Sequence, residues 1–459
     1  MKNLKLIALC GLFFCGSEAA MAQQAPKCAT QQIRAEVLKQ RPDLIPAYLH
    51  NYNHNAAMDR AALTKSHITG KPQMKTTGTP LIIPVVFHVL LTQAKVNQLG
   101  GASGAMSRML TQIDVLNKDF GGRNSDSTNI PAAFKPFFAH SDIQFSPAHR
   151  TPTNGYTEGM NLVITTVSNF SADLHSGSDP KNPIAGGVAA WDPTRYLNIW
   201  VVDIAESGIL GYSIPPSFVT LYGFDPNHTG VVLDYGAFGK RTSVTQFFSP
   251  SVNDEGRTLT HEVGHFFELE HTFGEGPDCP ANGDIDDGIS DTPPQAQPTY
   301  NSGNNCPSFP LTDVCTPSGN GIMWMNYMDY VNDNCMFMFT KGQELRMENQ
   351  LIPGAPSYSL TQHPEVLQWP TSVSGIPEES AVTILPNPSS GQFEVWVPSS
   401  QGLKAISVLN MMGQLVYSVP VTNQTITNYH VDISSLSKGV YMVQCTFEGG
   451  TISKKILLQ

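Results

Sequence analysis

Charge is scarce in this chain. Only 14% of its 459 residues are Asp, Glu, Lys or Arg, and 27 basic residues face 38 acidic ones, a formal net charge of −11. That deficit of basic residues, with no basic run interleaved with aromatics, argues against a nucleic-acid partner. Long apolar runs are missing too. The run at residues 6–15 falls well short of the ~20 residues a spanning helix needs, and no later segment is long and apolar enough, so no transmembrane segment is expected. With Lys2 and Lys5 before it and Ala20-Met21-Ala22 after it, that run reads as a secretory signal over residues 1–22. An exported chain follows.

Cysteine is sparse and unevenly placed. Cys10 and Cys15 fall within the signal, whereas Cys279, Cys306, Cys315 and Cys335 cluster late in the chain. No close Cys-x-x-Cys pair occurs, which disfavours a structural zinc site. In an oxidising compartment the four instead form two disulfides, with three possible connectivities. Cys28 and Cys445 stand apart.

The pattern divides into segments. Residues 23–79 are polar and helix-prone, best over 31–40, and end in a Lys, Thr and Gly-rich stretch, the profile of a pro-segment with a cleavable linker. Residues 80–355 open with a buried strand over 81–90. A helical apolar spacing through Met109, Leu110, Ile113, Leu116 and Phe120 follows, then a strand over 197–202 and an edge-strand candidate at 210–214. Strand, helix and strands in this order make an α/β domain with a twisted sheet. A Pro and Ser-rich linker is expected over 356–380. Short alternating strands over 381–459 read as a small β-sandwich.

One run carries the chemistry: His261-Glu262-Val263-Gly264-His265, with His271 six residues on. Histidines four apart lie on one face of a helix, about one turn from each other, so both imidazoles reach one ion. The third histidine completes three zinc ligands and leaves a position open, and Glu262 is placed as general base for the attacking water. The spacing is that of the long HExxHxxGxxH pattern, except that Glu268 stands at its glycine. If φ there is positive, a glutamate costs on the order of 1 kcal/mol. Its carboxylate would tune the site, weaken it or face solvent.

These residues, from Gly256-Arg257-Thr258 through His271-Thr272-Phe273, resemble the pappalysin family of metzincin metallopeptidases. Asn326-Tyr327-Met328-Asp329-Tyr330 is similar to that family's Met-turn. The resemblance covers roughly residues 80–350. It implies an α/β (α+β) metzincin-type catalytic domain whose active-site helix carries His261, His265 and His271 as zinc ligands. It further implies Glu262 as base, Met328 as apolar floor and Tyr330 as an oxyanion-stabilising hydroxyl. Disulfides Cys279–Cys315 and Cys306–Cys335 would follow, with structural calcium at Asp287, Asp291 and Thr292. Cys28 resembles the pro-segment cysteine that ligates zinc in a latent enzyme, with Ala29 where glycine is expected. The resemblance also implies an acidic residue before the last cysteine that draws a basic side chain to the cleavage site; Asn334 stands there, with Asp333 one step earlier, and a neutral amide would remove much of that attraction.

Residues 381–459, with Leu385-Pro386-Asn387-Pro388 and Leu436-Ser437-Lys438-Gly439, resemble the sorting domain of the type IX secretion system of Bacteroidetes. The resemblance implies a secreted or cell-surface zinc endopeptidase, exported through the periplasm, that acts on proteins or peptides and meets the type IX machinery. Two rivals stay open: a catalytically impaired surface-binding protein of the same fold, and an adhesin acting through its sandwich.

Overall fold

The computed structural model describes residues 26–69, 80–173, 177–206, 208–274, 279, 287–369, 382–397, 403–421, 427–447 and 450–459. The signal run, residues 71–79, Asp284, Asp286 and residues 370–380 lie outside the described residues. Helix α1 (Thr30–Gln40) and α2 (Ile45–Thr69) come first, followed by strand β1 (Leu81–Leu91), α3 (Gln93–Gln98) and α4 (Gly101–Phe120). Next are β2 (Ile143–Pro147), β3 (Met160–Ile164), β4 (Leu197–Val202), β5 (Gly211–Ile214), α5 (Ser217–Tyr222) and β6 (Gly230–Asp234). Two helices complete this part, α6 (Arg257–Phe266) and α7 (Lys341–Asn349).

The strands form one sheet in the order β2-β1-β4-β6-β5. Strand β1 is long enough to pair β2 through its first half and β3 through its second, both in parallel. Only β5 runs antiparallel to its neighbour, and it ends the sheet. An edge strand offers unpaired backbone groups to another chain.

Alternation along β1 sends Ile83, Val85, Phe87 and Val89 into one core with Met109, Ile113 and Leu116 of α4 and Leu259 and Val263 of α6. Leu110 departs from the expected stripe and is 48% exposed. On the opposite face, Trp200, Tyr212 and Val232 pack with Ala29, Ile33 and Tyr48 of the first two helices and their approach.

The expected linker needs correction at its start. Residues through 369 pack on the catalytic part: Leu360 joins its main core, and Val366 is buried with Val86, Ala148 and Tyr196. The Val366 carbonyl also accepts from the His149 backbone N–H at 2.7 Å. Short 3₁₀ turns (Tyr358–Thr361 and Pro364–Leu367) bury single residues without a period that a sequence scan detects.

Strands β7 (Thr383–Leu385), β8 (Gln392–Trp396), β9 (Leu403–Asn410), β10 (Leu415–Pro420), β11 (Asn428–Asp432), β12 (Gly439–Phe447) and β13 (Gly450–Leu458) follow. They build two antiparallel sheets, β10-β9-β12-β13 and β11-β8-β7, around a separate core that includes Phe393, Val408, Val443 and Ile456.

Candidate active site

Helix α6 starts at Gly256 (φ 81°) and is buried along its whole length. It is held from below by ions. The Arg257 guanidinium pairs with Asp126 at 2.5 and 3.0 Å, and the Arg257 and Glu255 backbone N–H groups donate to Asp333 at 3.1 and 3.0 Å. Thr260 and the Tyr327 hydroxyl both donate to Asp119, at 2.9 Å each. Burial raises Asp119 to about 6, against the opposing pull of Arg257.

This frame aims His261 and His265 at one point, and the turn after the helix adds His271. Glu268 makes that turn with φ 68°, so the glutamate does take the left-handed conformation usual for glycine. The three Nε2 atoms lie 3.0, 3.1 and 3.2 Å apart. Zinc with Zn–N near ~2.05 Å in tetrahedral geometry sets nitrogen ligands about 3.3 Å apart, so the triangle fits that ion. His261 Nδ1 donates to the Tyr327 carbonyl at 2.7 Å and His265 Nδ1 to that of Leu269 at 2.6 Å, which turns the Nε2 lone pairs inward. Burial holds all three imidazoles neutral, with His265 pushed down to about 3. Neutral imidazole is the ligating form.

Beneath them lies Met328, fully buried; a Cβ on Gly264 would stand 2.6 Å from its sulfur. Gly211 performs the same service above, since its Cβ would meet Glu262 Cγ at 2.8 Å. Glycine at both positions lets the Met-containing turn and the edge strand close on the helix.

The fourth side is covered by the chain's own beginning. Residues 27–29 pair with Leu210 and the first residue of β5: the Leu210 N–H donates to the Lys27 carbonyl at 2.7 Å and the Ala29 N–H to the Gly211 carbonyl at 3.0 Å. Cys28 Sγ joins the three imidazoles, the four ligand atoms all lying within 4.8 Å of one another. Among the described residues this is the one such group. The Cys28 thiol and the Thr30 hydroxyl each donate to Glu262 Oε2 at 3.3 Å, and the Ser213 N–H donates to the Thr30 hydroxyl at 2.9 Å. Burial raises Glu262 to about 8, partly offset by those two donors. Tyr330 donates its hydroxyl to the Cys28 carbonyl at 3.2 Å, and its ring lies 4.9 Å from that of His271.

Lys27 lies beside the imidazole cluster, lining one pocket with Cys28, His261 and Glu262. Its Nζ donates to Asn332 Oδ1 at 2.7 Å and to the Val331 carbonyl at 3.2 Å; burial lowers it to about 8 while Asp333 and Asp329 favour its charge. Asn334 turns away and donates to the Asn304 carbonyl. The cysteines pair as Cys279–Cys315 and Cys306–Cys335. Asp287 accepts from the Ile289 N–H and the Thr292 hydroxyl, and Asp291 from Thr340 and the Gly342 N–H.

Sequence reasoning missed Lys27, Thr30, Arg34, Asp119 and Glu270. The signal for Asp119 was a charge on the apolar face of α4; for Lys27, Thr30 and Arg34 it was the proximity of polar residues to Cys28.

Comparison with known proteins gives a coherent set of matches. The profile described as pregnancy-associated plasma protein-A, a peptidase family, matches residues 187–352, and that of a secretion system C-terminal sorting domain matches residues 383–459. An extracellular metalloprotease of Colletotrichum graminicola is 30% identical over 288 residues, which is 62% of this chain and 81% of the relative. Mature mirolysin of Tannerella forsythia, solved with a cleaved peptide, superposes with a TM-score of 0.55 at 35% identity, covering 63% of this chain and 99% of that one. A promirolysin variant from the same organism gives 0.60 at 30% identity, covering 75% and 100%.

Proposed function

Because the chain belongs to the pregnancy-associated plasma protein-A (pappalysin) family and is a metalloendopeptidase, secreted or at the cell surface, we propose that it is a zinc enzyme made as a latent precursor. The observation that carries this reading is the convergence of three Nε2 atoms within 3.2 Å, with Glu262 and Tyr330 at the rim and Cys28 closing the fourth side. His261, His265 and His271 would hold the ion. A bound zinc ion supplies Lewis acidity toward a peptide carbonyl and makes water a better nucleophile.

The remaining work falls to the chain's own groups. Glu262 takes the proton of the attacking water and delivers it to the leaving amine. Tyr330 reaches the site with a hydroxyl that burial keeps protonated, and it donates to the developing oxyanion. Strand β5, free once residues 27–29 leave, pairs with the substrate backbone and aligns the scissile bond. The pocket that holds Lys27 takes a basic side chain next to that bond, through Asn332 and the carboxylates of Asp329 and Asp333, without the acidic residue that Asn334 replaces.

Residues 23–79 are proposed as the pro-segment and 1–22 as the signal. The wider coverage by the precursor form of mirolysin supports the former. Residues 381–459 are proposed to address the chain to type IX secretion. Calcium is proposed at Asp287, Asp291 and Thr292, whose hard oxygen donors sit close together in one loop. Among the described residues no helix is long and apolar enough to cross a membrane.

The test is metal analysis and casein cleavage by full-length, processed chain and its Glu262→Ala variant. One zinc in both, with cleavage only in the unaltered chain, is expected. Absence of zinc, or equal cleavage by the variant, would defeat the reading.

A further inference from the structure

Two basic side chains of the covering segment are gripped by the catalytic part, one on each side of Cys28. Lys27 is the first. Arg34, a turn beyond Thr30 on α1, is the second: its Nη1 and Nη2 lie 2.5 and 2.6 Å from the two carboxylate oxygens of Glu270. The two side chains are 6% and 11% exposed, so this is a sequestered, two-point ion pair of the kind that recognises a guanidinium specifically. Glu268 opens on the same pocket, accepting from Ser217 and, at 3.5 Å, from Asn51 of α2. Phe218 and Leu221 of α5 form its apolar wall.

Arg34 and Asn51 belong to the segment read above as removable. Without it the pocket keeps Ser217, Phe218, Leu221, Glu268 and Glu270 and loses the cation seated between them. Arg346, which also lines the pocket, stays to oppose the charge of Glu268. Two carboxylates against one guanidinium, beside an apolar wall, match a long basic side chain: the stem packs and the head pairs. The six residues from Cys28 to Arg34 span about 9 Å as helix, the length of about three residues of extended chain.

We propose that Glu268 and Glu270 form a substrate subsite for arginine or lysine about three residues from the cleaved bond, on the side opposite the Lys27 pocket. In the latent chain Arg34 occupies it as a substitute for that substrate residue. The proposal rests on the endopeptidase and pro-segment readings. It also accounts for a glutamate at a left-handed position where glycine would be free of strain.

The test uses peptides with Arg, Gln or Glu scanned from four residues before to four after one cleavable bond. The processed full-length enzyme is compared with Glu270→Gln and with the exchanged chain Arg34→Glu/Glu270→Arg, which preserves the ion pair in the precursor and so its folding. Unaltered enzyme is expected to favour Arg over Gln about tenfold in kcat/KM at one position two to four residues from the bond. That ratio falls towards one in Glu270→Gln, and the exchanged chain favours Glu there. An Arg to Gln ratio that is the same in the unaltered and Glu270→Gln enzymes, or no Arg preference on that side of the bond, overturns the subsite while leaving the enzyme standing. Failure to cleave any peptide better than Glu262→Ala overturns the endopeptidase reading, and the subsite with it.

Discussion

Gly264, between the two helical histidines, gives the sharpest test of how this site is built. An alanine there would place its Cβ 2.6 Å from Met328 Sδ and 3.4 Å from Leu269 Cδ1. Non-bonded heavy atoms settle near ~3.5–4.0 Å, so the thioether must retreat by about 1 Å inside a fully buried turn. Overpacking of this kind costs about 1–3 kcal/mol, against about 1 kcal/mol gained when alanine replaces glycine in a helix. Gly264→Ala is therefore expected to destabilise by about 0–2 kcal/mol. Its effect on the metal should be larger than its effect on the fold, because the Tyr327 carbonyl that orients His261 belongs to the same turn.

Met328→Ala alone should cost about 2–5 kcal/mol as a buried cavity. The double variant should be less destabilised than the sum by about 1–2 kcal/mol, since the alanine methyl then enters the vacated space. The assay is a double-mutant cycle by urea unfolding in a Glu262→Ala background, which prevents self-cleavage, with zinc retention against a chelator followed in parallel. Additivity within about 0.5 kcal/mol would refute the claim that Gly264 exists to admit Met328.

Three further outcomes follow from the same geometry. Thr30→Val removes the hydroxyl that links Glu262 to the Ser213 N–H, a loss of about 1 kcal/mol, so the unprocessed chain should show about fivefold more cleavage; unchanged latency would exclude Thr30 from it. His88, fully buried between Trp191 and Trp200, is lowered by burial to about 4. Its contribution to stability is complete above about pH 6.5 and is lost as pH falls through 4, at most about 3 kcal/mol in all. His88→Asn should flatten the stability profile between pH 6.5 and 4, and an identical profile would contradict the assignment. If Asp287 and Asp291 help bind calcium, removing it with a selective chelator should lower the unfolding temperature by several degrees, and a calcium-independent temperature would dismiss that site.

Periodicity and spacing carried a large part of the fold because they are local. Strand β1, helix α4 and the histidine-bearing helix each declare themselves within a dozen residues, as alternation or as a 3.6-residue stripe. The clamp on α6 did not, since Asp119, Asp126 and Asp333 meet Arg257 and Thr260 across more than seventy residues of chain. A buried carboxylate looks like any other in one dimension until its partners are placed. The 3₁₀ turns that bury Leu360 and Val366 were hidden for the opposite reason: each anchors one side chain, too little to stand out from a Pro and Ser-rich background.

Glu268 lies between these cases. Its departure from the HExxHxxGxxH pattern is visible by counting, and so is the left-handed cost it carries if the turn is kept. The turn is kept, at φ 68°, and His271 reaches the other two imidazoles, so the substitution does not separate the three rings. The carboxylate points neither into the imidazole triangle nor to open solvent; it is engaged by Ser217 and Asn51 beside the Arg34–Glu270 pair. A strained residue persists when surrounding contacts over-determine it, and here one of those contacts comes from the segment that covers the site. Removal of that segment would take away the Arg34 guanidinium and the Asn51 amide while the strain remains, leaving Glu268 and Glu270 without the cation that now sits beside both.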